Sequence, residues 1–99
     1  MLFLTSDKEF VIKDNHIVYF YSVENIYPLN KDIFCLLDGM EKEHINVLCV
    51  DVDRFKNLSK RCQINELPTF LLFKNKQEIK RITGTPNFDD IKNIFTRDI

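Results

Sequence analysis

The chain alternates between short, almost continuous apolar runs and longer stretches in which apolar residues recur every three or four positions. His16-Ile17-Val18-Tyr19-Phe20-Tyr21 and Val47 to Val52 are of the first kind and predict strands covered on both faces. Between them, from Asn30 to Glu43, Ile33, Leu36, Leu37 and Met40 share one face at helical spacing. Leu2 to Leu4 reads as a short first strand. Thr5 or Ser6 is placed to cap a brief helix through Phe10 to Ile12, with Glu9 three residues after Ser6 in capping-box spacing. Asp14-Asn15 then marks a turn.

Ser22 to Leu29 reads as a loop with Pro28 near its far end. A short helix is expected from Arg54 to Arg61, with Phe55 and Leu58 turned inward. Thr69 to Phe73 and Glu78 to Thr83 are strand-like and are joined across Asn75-Lys76, a hairpin turn signal. Thr85 is expected to cap a last helix with Pro86 at its first position and Asp89 and Asp90 in its first turn. Phe88, Ile91, Ile94 and Phe95 form that helix's apolar stripe. The order β-α-β-α-β-α-β-β-α predicts an α/β fold, a mixed sheet of about five strands flanked by about four helices. At 99 residues the chain is expected to be a single domain over 1–99.

Composition narrows the function classes. Apolar residues make up 44% and nine are Phe, enough for a packed core. The formal net charge is -1, without a long run of one sign and with the lysines spread out. Neither a nucleic-acid partner nor an anionic membrane is expected of such a surface. Met1-Leu2-Phe3-Leu4 is too short for a signal segment, and no run of ~20 apolar residues could span a bilayer, so an intracellular, cytoplasmic protein is expected. The three cysteines are odd in number and lack short spacing, which excludes a disulfide framework and suits a reducing compartment.

Few side chains have the spacing that chemistry needs. Cys49 reads as a small buried hydrophobe, whereas Cys35, off its helix's apolar face, and Cys62 remain open to packing, modification or redox roles. His16 and His44 have no ligand-like spacing, and no metal or other cofactor is expected. Asp51 and Asp53 read as solvated or capping residues. With Gly39 and Gly84 the only glycines, no Gly-rich phosphate loop exists.

Several joints of this pattern are similar to a known family. Val18-Tyr19-Phe20-Tyr21, Val50-Asp51-Val52-Asp53, Ile64-Asn65-Glu66-Leu67-Pro68-Thr69-Phe70, Leu72-Phe73-Lys74-Asn75 and Gly84 resemble, in order and, apart from a short slack before Val47, in spacing, the corresponding segments of the thioredoxin family. The resemblance implies the thioredoxin fold. It fails at the active-site window, where the family reads W-C-G-P-C and this chain reads Glu24-Asn25-Ile26-Tyr27-Pro28. Counted without gaps, Asn25 and Pro28 occupy the cysteine positions; slid by one residue, Leu29 takes the second. Tyr19 stands where the family has a buried aspartate, and the chain has no Trp. Disulfide exchange needs an attacking thiolate and a second thiol to resolve the mixed disulfide, and an amide at position 25 does neither.

What the resemblance leaves is Pro68, cis in the family, with the backbone of Leu67 facing the active-site loop and able to pair with an extended peptide. Tyr21, Ile26, Tyr27 and Leu67 are expected to rim that groove, although the aromatic residues could equally pack inward and Pro68 could serve only to shape the turn. The first expectation for function is therefore a redox-inactive, non-enzymatic module that binds a protein or extended peptide, or serves as an adaptor. The alternative is an atypical thiol-disulfide oxidoreductase or redox-sensitive protein acting through Cys62 or Cys35. A homodimeric structural element also remains open.

Overall fold

Successive residues of one strand feed two separate cores, and that alternation sets the architecture. The structure is a computed structural model and describes residues 1–23 and 31–96. Strand β2 (Asn15–Tyr21) buries Ile17 and Tyr19 on one face of the sheet and Val18 and Phe20 on the other. The remaining strands are β1 (Leu2–Phe3), β3 (Asn46–Asp51), β4 (Thr69–Lys74) and β5 (Gln77–Thr83). They form one sheet in the order β1-β3-β2-β4-β5, with β1, β3 and β2 parallel and β4 and β5 antiparallel additions. Helices α1 (Lys31–Lys42) and α3 (Phe88–Thr96) cover the Ile17/Tyr19 face through Ile33, Leu37, Met40, Ile91 and Phe95. Helix α2 (Lys56–Arg61) covers the Val18/Phe20 face, with Phe55 and Leu58 turned inward. This is the thioredoxin fold, as expected: a five-stranded mixed sheet with helices on both sides.

The helices differ from expectation in two places. The first of the four expected helices is only a 3-10 turn at Asp7–Glu9. Phe10 leaves helical geometry at ψ 84°, and beyond it Phe10 and Ile12 both pack on the second core while Val11 between them is exposed. That spacing of two is the period of extended chain. The Thr5 hydroxyl and amide both donate to the Glu9 carboxylate, so the capping groups are spent on one tight turn. The last helix starts later than Thr85 and Pro86 suggest, because Asn87 is the cap. Its side-chain oxygen accepts from the amides of Asp89 (2.8 Å) and Asp90 (3.3 Å), and its carbonyl accepts from Ile91 (3.2 Å). Asn caps a helix at least as well as Thr, and Phe88 thereby opens the helix against α1.

The hairpin turns through Asn75 (φ 54°) and Lys76 (φ 66°), both left-handed, as a two-residue turn between twisted strands requires. Beyond it the ladder slips: Leu72 faces Lys80 but Phe73 faces Glu78, leaving Ile79 as a bulge. The slip brings Glu78 and Arg81 onto the same face. The Arg81 guanidinium there bonds the Glu78 carboxylate (3.1 and 3.3 Å) and the Gln63 carbonyl (2.8 Å). No helix among the described residues is long and apolar enough to cross a membrane.

Two stability measurements test this packing. Gly39 lies in mid-helix, where Ala is ordinarily favoured by about 1 kcal/mol. A Cβ there would come within 2.6 Å of the Phe88 ring. Gly39→Ala is therefore expected to destabilise by about 1–3 kcal/mol in denaturant unfolding, and to be neutral or stabilising in a Phe88→Ala background; equal effects in both backgrounds would contradict the packing. His16 is buried at the start of β2, and its Nδ1 accepts the Lys13 amide at 3.0 Å. Burial, with a smaller contribution from the Lys13 charge, pushes its pKa down from 6.5 to about 4. The unfolded chain then binds the proton more tightly, so this contribution is intact above pH 6.5 and is lost as pH falls towards 4. His16→Asn, whose side-chain oxygen can accept the same amide, is expected to flatten that part of the stability-pH curve.

Candidate functional site

The ends of β2 and β3 and the beginning of β4 meet at one edge of the sheet, and most of the sequence-predicted site residues with described positions gather there. The register pairs Tyr21 with Asp51 and Phe20 with Thr69, which sets Pro68 next to the end of β2. The Tyr21 carbonyl accepts the Val52 amide (2.8 Å), the Asp51 carboxylate accepts the Asp53 amide (3.0 Å), and the Asp53 carboxylate accepts the Ser22 hydroxyl. The two aspartates thus act as turn-forming acceptors that close the end of β3.

The Leu67–Pro68 peptide bond is cis. Its surroundings are well anchored: the Pro68 carbonyl accepts the Gly84 amide (3.0 Å), and the Thr69 hydroxyl donates to the Glu66 carbonyl. Gly84 reaches that bond at φ +82°, a conformation side chains rarely adopt. Leu67 itself is 41% exposed, and no hydrogen bond among the described residues uses its N–H or C=O. An exposed backbone segment held by anchored neighbours can add one short pairing to an extended chain.

Tyr21 is half-buried and belongs to a column of rings. It stacks on Tyr19 at 5.5 Å and meets Phe3 edge-on at 6.3 Å, while Tyr19 stacks on Phe70 at 4.9 Å. Sequence reasoning did not bring in Phe3, whose strand reaches this place through its pairing with β3. Val23, 49% exposed, also borders this end. Ile26 and Tyr27, with Asn25 and Pro28, lie outside the described residues.

Tyr19 is buried, and burial pushes its phenol up to about 12, so it stays protonated at neutral pH and cannot take a proton as a carboxylate would. The thiols are dispersed. Cys35 is exposed on α1, Cys49 is buried in β3, and Cys62 is half-buried at the end of α2. Helices α1 and α2 lie on opposite faces of the sheet, so Cys35 and Cys62 cannot approach the ~7 Å Cα separation that a disulfide needs. Burial raises the Cys49 thiol to about 12 and also raises Cys62, where Arg81 and Arg61 offset only part of the effect. Among the described residues no three His, Cys, Asp or Glu side chains gather as a metal site would require.

The family model for Thioredoxin matches residues 6–97. This chain belongs to the thioredoxin family. It is 26% identical over 57 residues to a thioredoxin of Chlamydia trachomatis serovar D, a match spanning 58% of this chain and 56% of that protein. Among solved structures it is similar to mitochondrial thioredoxin 3 of Saccharomyces cerevisiae in its oxidized form, at a TM-score of 0.76 and 24% identity over 96% of this chain and 92% of the other. It is likewise similar to Plasmodium falciparum thioredoxin, at 0.75 and 23% over 96% of both chains. At those identities the structural likeness is one of fold.

Against that family pattern, this thioredoxin-family domain has no Cys-x-x-Cys anywhere in its sequence and carries a neutral phenol in its ring column. Its thiols are expected to alkylate in a fixed order under native conditions. Cys35 reacts first; Cys62 follows, with a reactivity midpoint above the ordinary thiol value of 9.0; Cys49 reacts only on unfolding. Mass-resolved iodoacetamide labelling across pH checks this, and fast labelling of Cys62 near neutral pH would overturn it.

Proposed function

We propose that this thioredoxin-family domain is redox-inactive and binds a protein or extended peptide, as an adaptor or recognition module, at the Leu67–Pro68 end of the sheet. The observation that carries the reading is the Leu67 backbone, exposed and unpaired among the described residues, held between anchored neighbours in a chain without a Cys-x-x-Cys pair. Recognition there needs no thiol. The backbone N–H and C=O of Leu67 supply the pairing, and Leu67, Tyr21 and Pro68 supply apolar surface. The reading involves no cofactor, metal, nucleic acid or membrane, and places the protein in the cytoplasm.

A second reading draws on the relatives, which are named thioredoxins, and on the exposure of Cys35. In it the domain is an atypical oxidoreductase or redox-sensitive protein acting through Cys35 or Cys62. Burial weakens Cys62 as a nucleophile, and the sheet between the two thiols prevents one from resolving a mixed disulfide formed by the other.

Insulin reduction with dithiothreitol separates the two. The recognition reading expects the rate of dithiothreitol alone, and a rate above it that disappears with Cys35→Ser or Cys62→Ser establishes the second. Affinity capture with the unaltered chain and with Leu67→Glu tests the binding surface. The captured set is expected to shrink with the variant, and an unchanged set removes Leu67 from the reading.

A further inference from the structure

The sequence spreads its lysines along the chain, but the fold gathers cations on one face. In α2 and the residue before it, Phe55, Leu58 and Ser59 are buried. At about 100° per residue this leaves Lys56, Asn57, Lys60 and Arg61 on the outward side, and all four are exposed. No Asp or Glu occurs between Asp53 and Glu66. None of the three cations has a carboxylate partner among the described residues. Arg54, just before the helix, is turned to the Thr5 carbonyl at 3.1 Å and over the Phe55 ring.

The opposite layer is built differently. On α1 Lys42 pairs with Asp38 at 3.3 Å, and on α3 Lys92 pairs with Glu43 at 3.2 Å. One cation of α2 also works against its own helix. Lys56 and Lys60 are like charges four residues apart, and Lys56 sits at a helix start with no acid in the first turn. Lys60 and Arg61, in the last turn, suit the helix dipole, so Lys56 is the cation that the helix itself does not call for.

We propose that the outer face of α2 is a docking surface for a short acidic segment of a partner protein, distinct from the Leu67 end of the sheet and independent of any binding there. Charge complementarity and size select this occupant. The helix is about 9 Å long, the span of about three residues of extended chain, so two or three carboxylates match Lys56, Lys60 and Arg61. The face presents no aromatic side chain on which nucleic-acid bases can stack, and three cations are few beside the six to ten or so phosphate contacts of a strong duplex binder. It presents no apolar side chain to enter a lipid surface. Carboxylates need neither.

The test is a titration of the isotopically labelled full chain with a blocked hexaglutamate peptide, followed by amide chemical shifts. The largest shifts are expected within residues 54–64, weakening as ionic strength rises from about 20 to about 200 mM. Lys56→Glu/Lys60→Glu/Arg61→Glu is expected to lower the affinity at least about tenfold, equivalent to about 1.4 kcal/mol. These positions are exposed, and circular dichroism checks that the variant is folded. Lys42→Glu/Lys92→Glu, which changes the same kind of charge on the other layer, is expected to bind as the unaltered chain does. The proposal is overturned if the α2 amides do not move, if the triple variant binds equally well, or if hexauridylate or phosphatidylserine bicelles shift them more at equal charge.

Discussion

The fold depends on the burial of β2 from both sides. From His16 to Phe20 every residue is at most 4% exposed, and consecutive side chains enter opposite cores. Each fully buried side chain of this size contributes about 1.5–3 kcal/mol from leaving water. The strand also joins the two halves of the sheet, pairing in parallel with β3 and antiparallel with β4. One strand therefore holds both helix layers and both kinds of pairing. The same strand delivers Tyr21 to the edge where Pro68 begins β4, so the position of the candidate site follows from the packing of the centre.

Much of this was legible because two-sided burial leaves a continuous apolar run, and one-sided burial of α1 leaves a helical stripe. The exceptions arise where local and long-range preferences compete. Ser6 and Glu9 do announce a helix start, but the pull of Phe10 and Ile12 towards the second core stops it after one turn. Thr85 and Asn87 are both good caps; the side chain of Asn87 is the one that takes the first free amides, in a helix that sets Phe88 against Gly39. At the candidate site, Leu67 and Pro68 could be placed from their sequence neighbours. The contact of Phe3 with Tyr21 could not, since it comes from strands far apart in the chain. The cationic face of α2 was hidden for a related reason: charges spaced irregularly in sequence become one surface only when the inward side of the helix is known.

The ring column gives the site end of the sheet a particular character. Phe70, Tyr19, Tyr21 and Phe3 are linked by successive contacts of 4.9, 5.5 and 6.3 Å. Such pairs add about 0.5–1.5 kcal/mol each beyond the area they bury. Tyr19, in the middle, touches rings on both sides, so its replacement by a carboxylate would put a charge inside the column and remove two stacking contacts. One side chain thus both completes the aromatic packing and stays protonated at neutral pH.

The bulge at Ile79 has a consequence for how this molecule behaves in company. An outer strand offers its free backbone groups to any passing chain, and regular spacing of those groups is what makes the offer dangerous. Here the spacing is broken within the strand, and Lys80 and Arg81 follow immediately. A second chain approaching this border meets an interrupted row of donors and acceptors beside the charged side chain of Lys80, while Arg81 is already held by Glu78 and Gln63. The regular pairing of the sheet is thereby interrupted on that side, the kind of irregularity that makes an outer strand a poorer template for another chain.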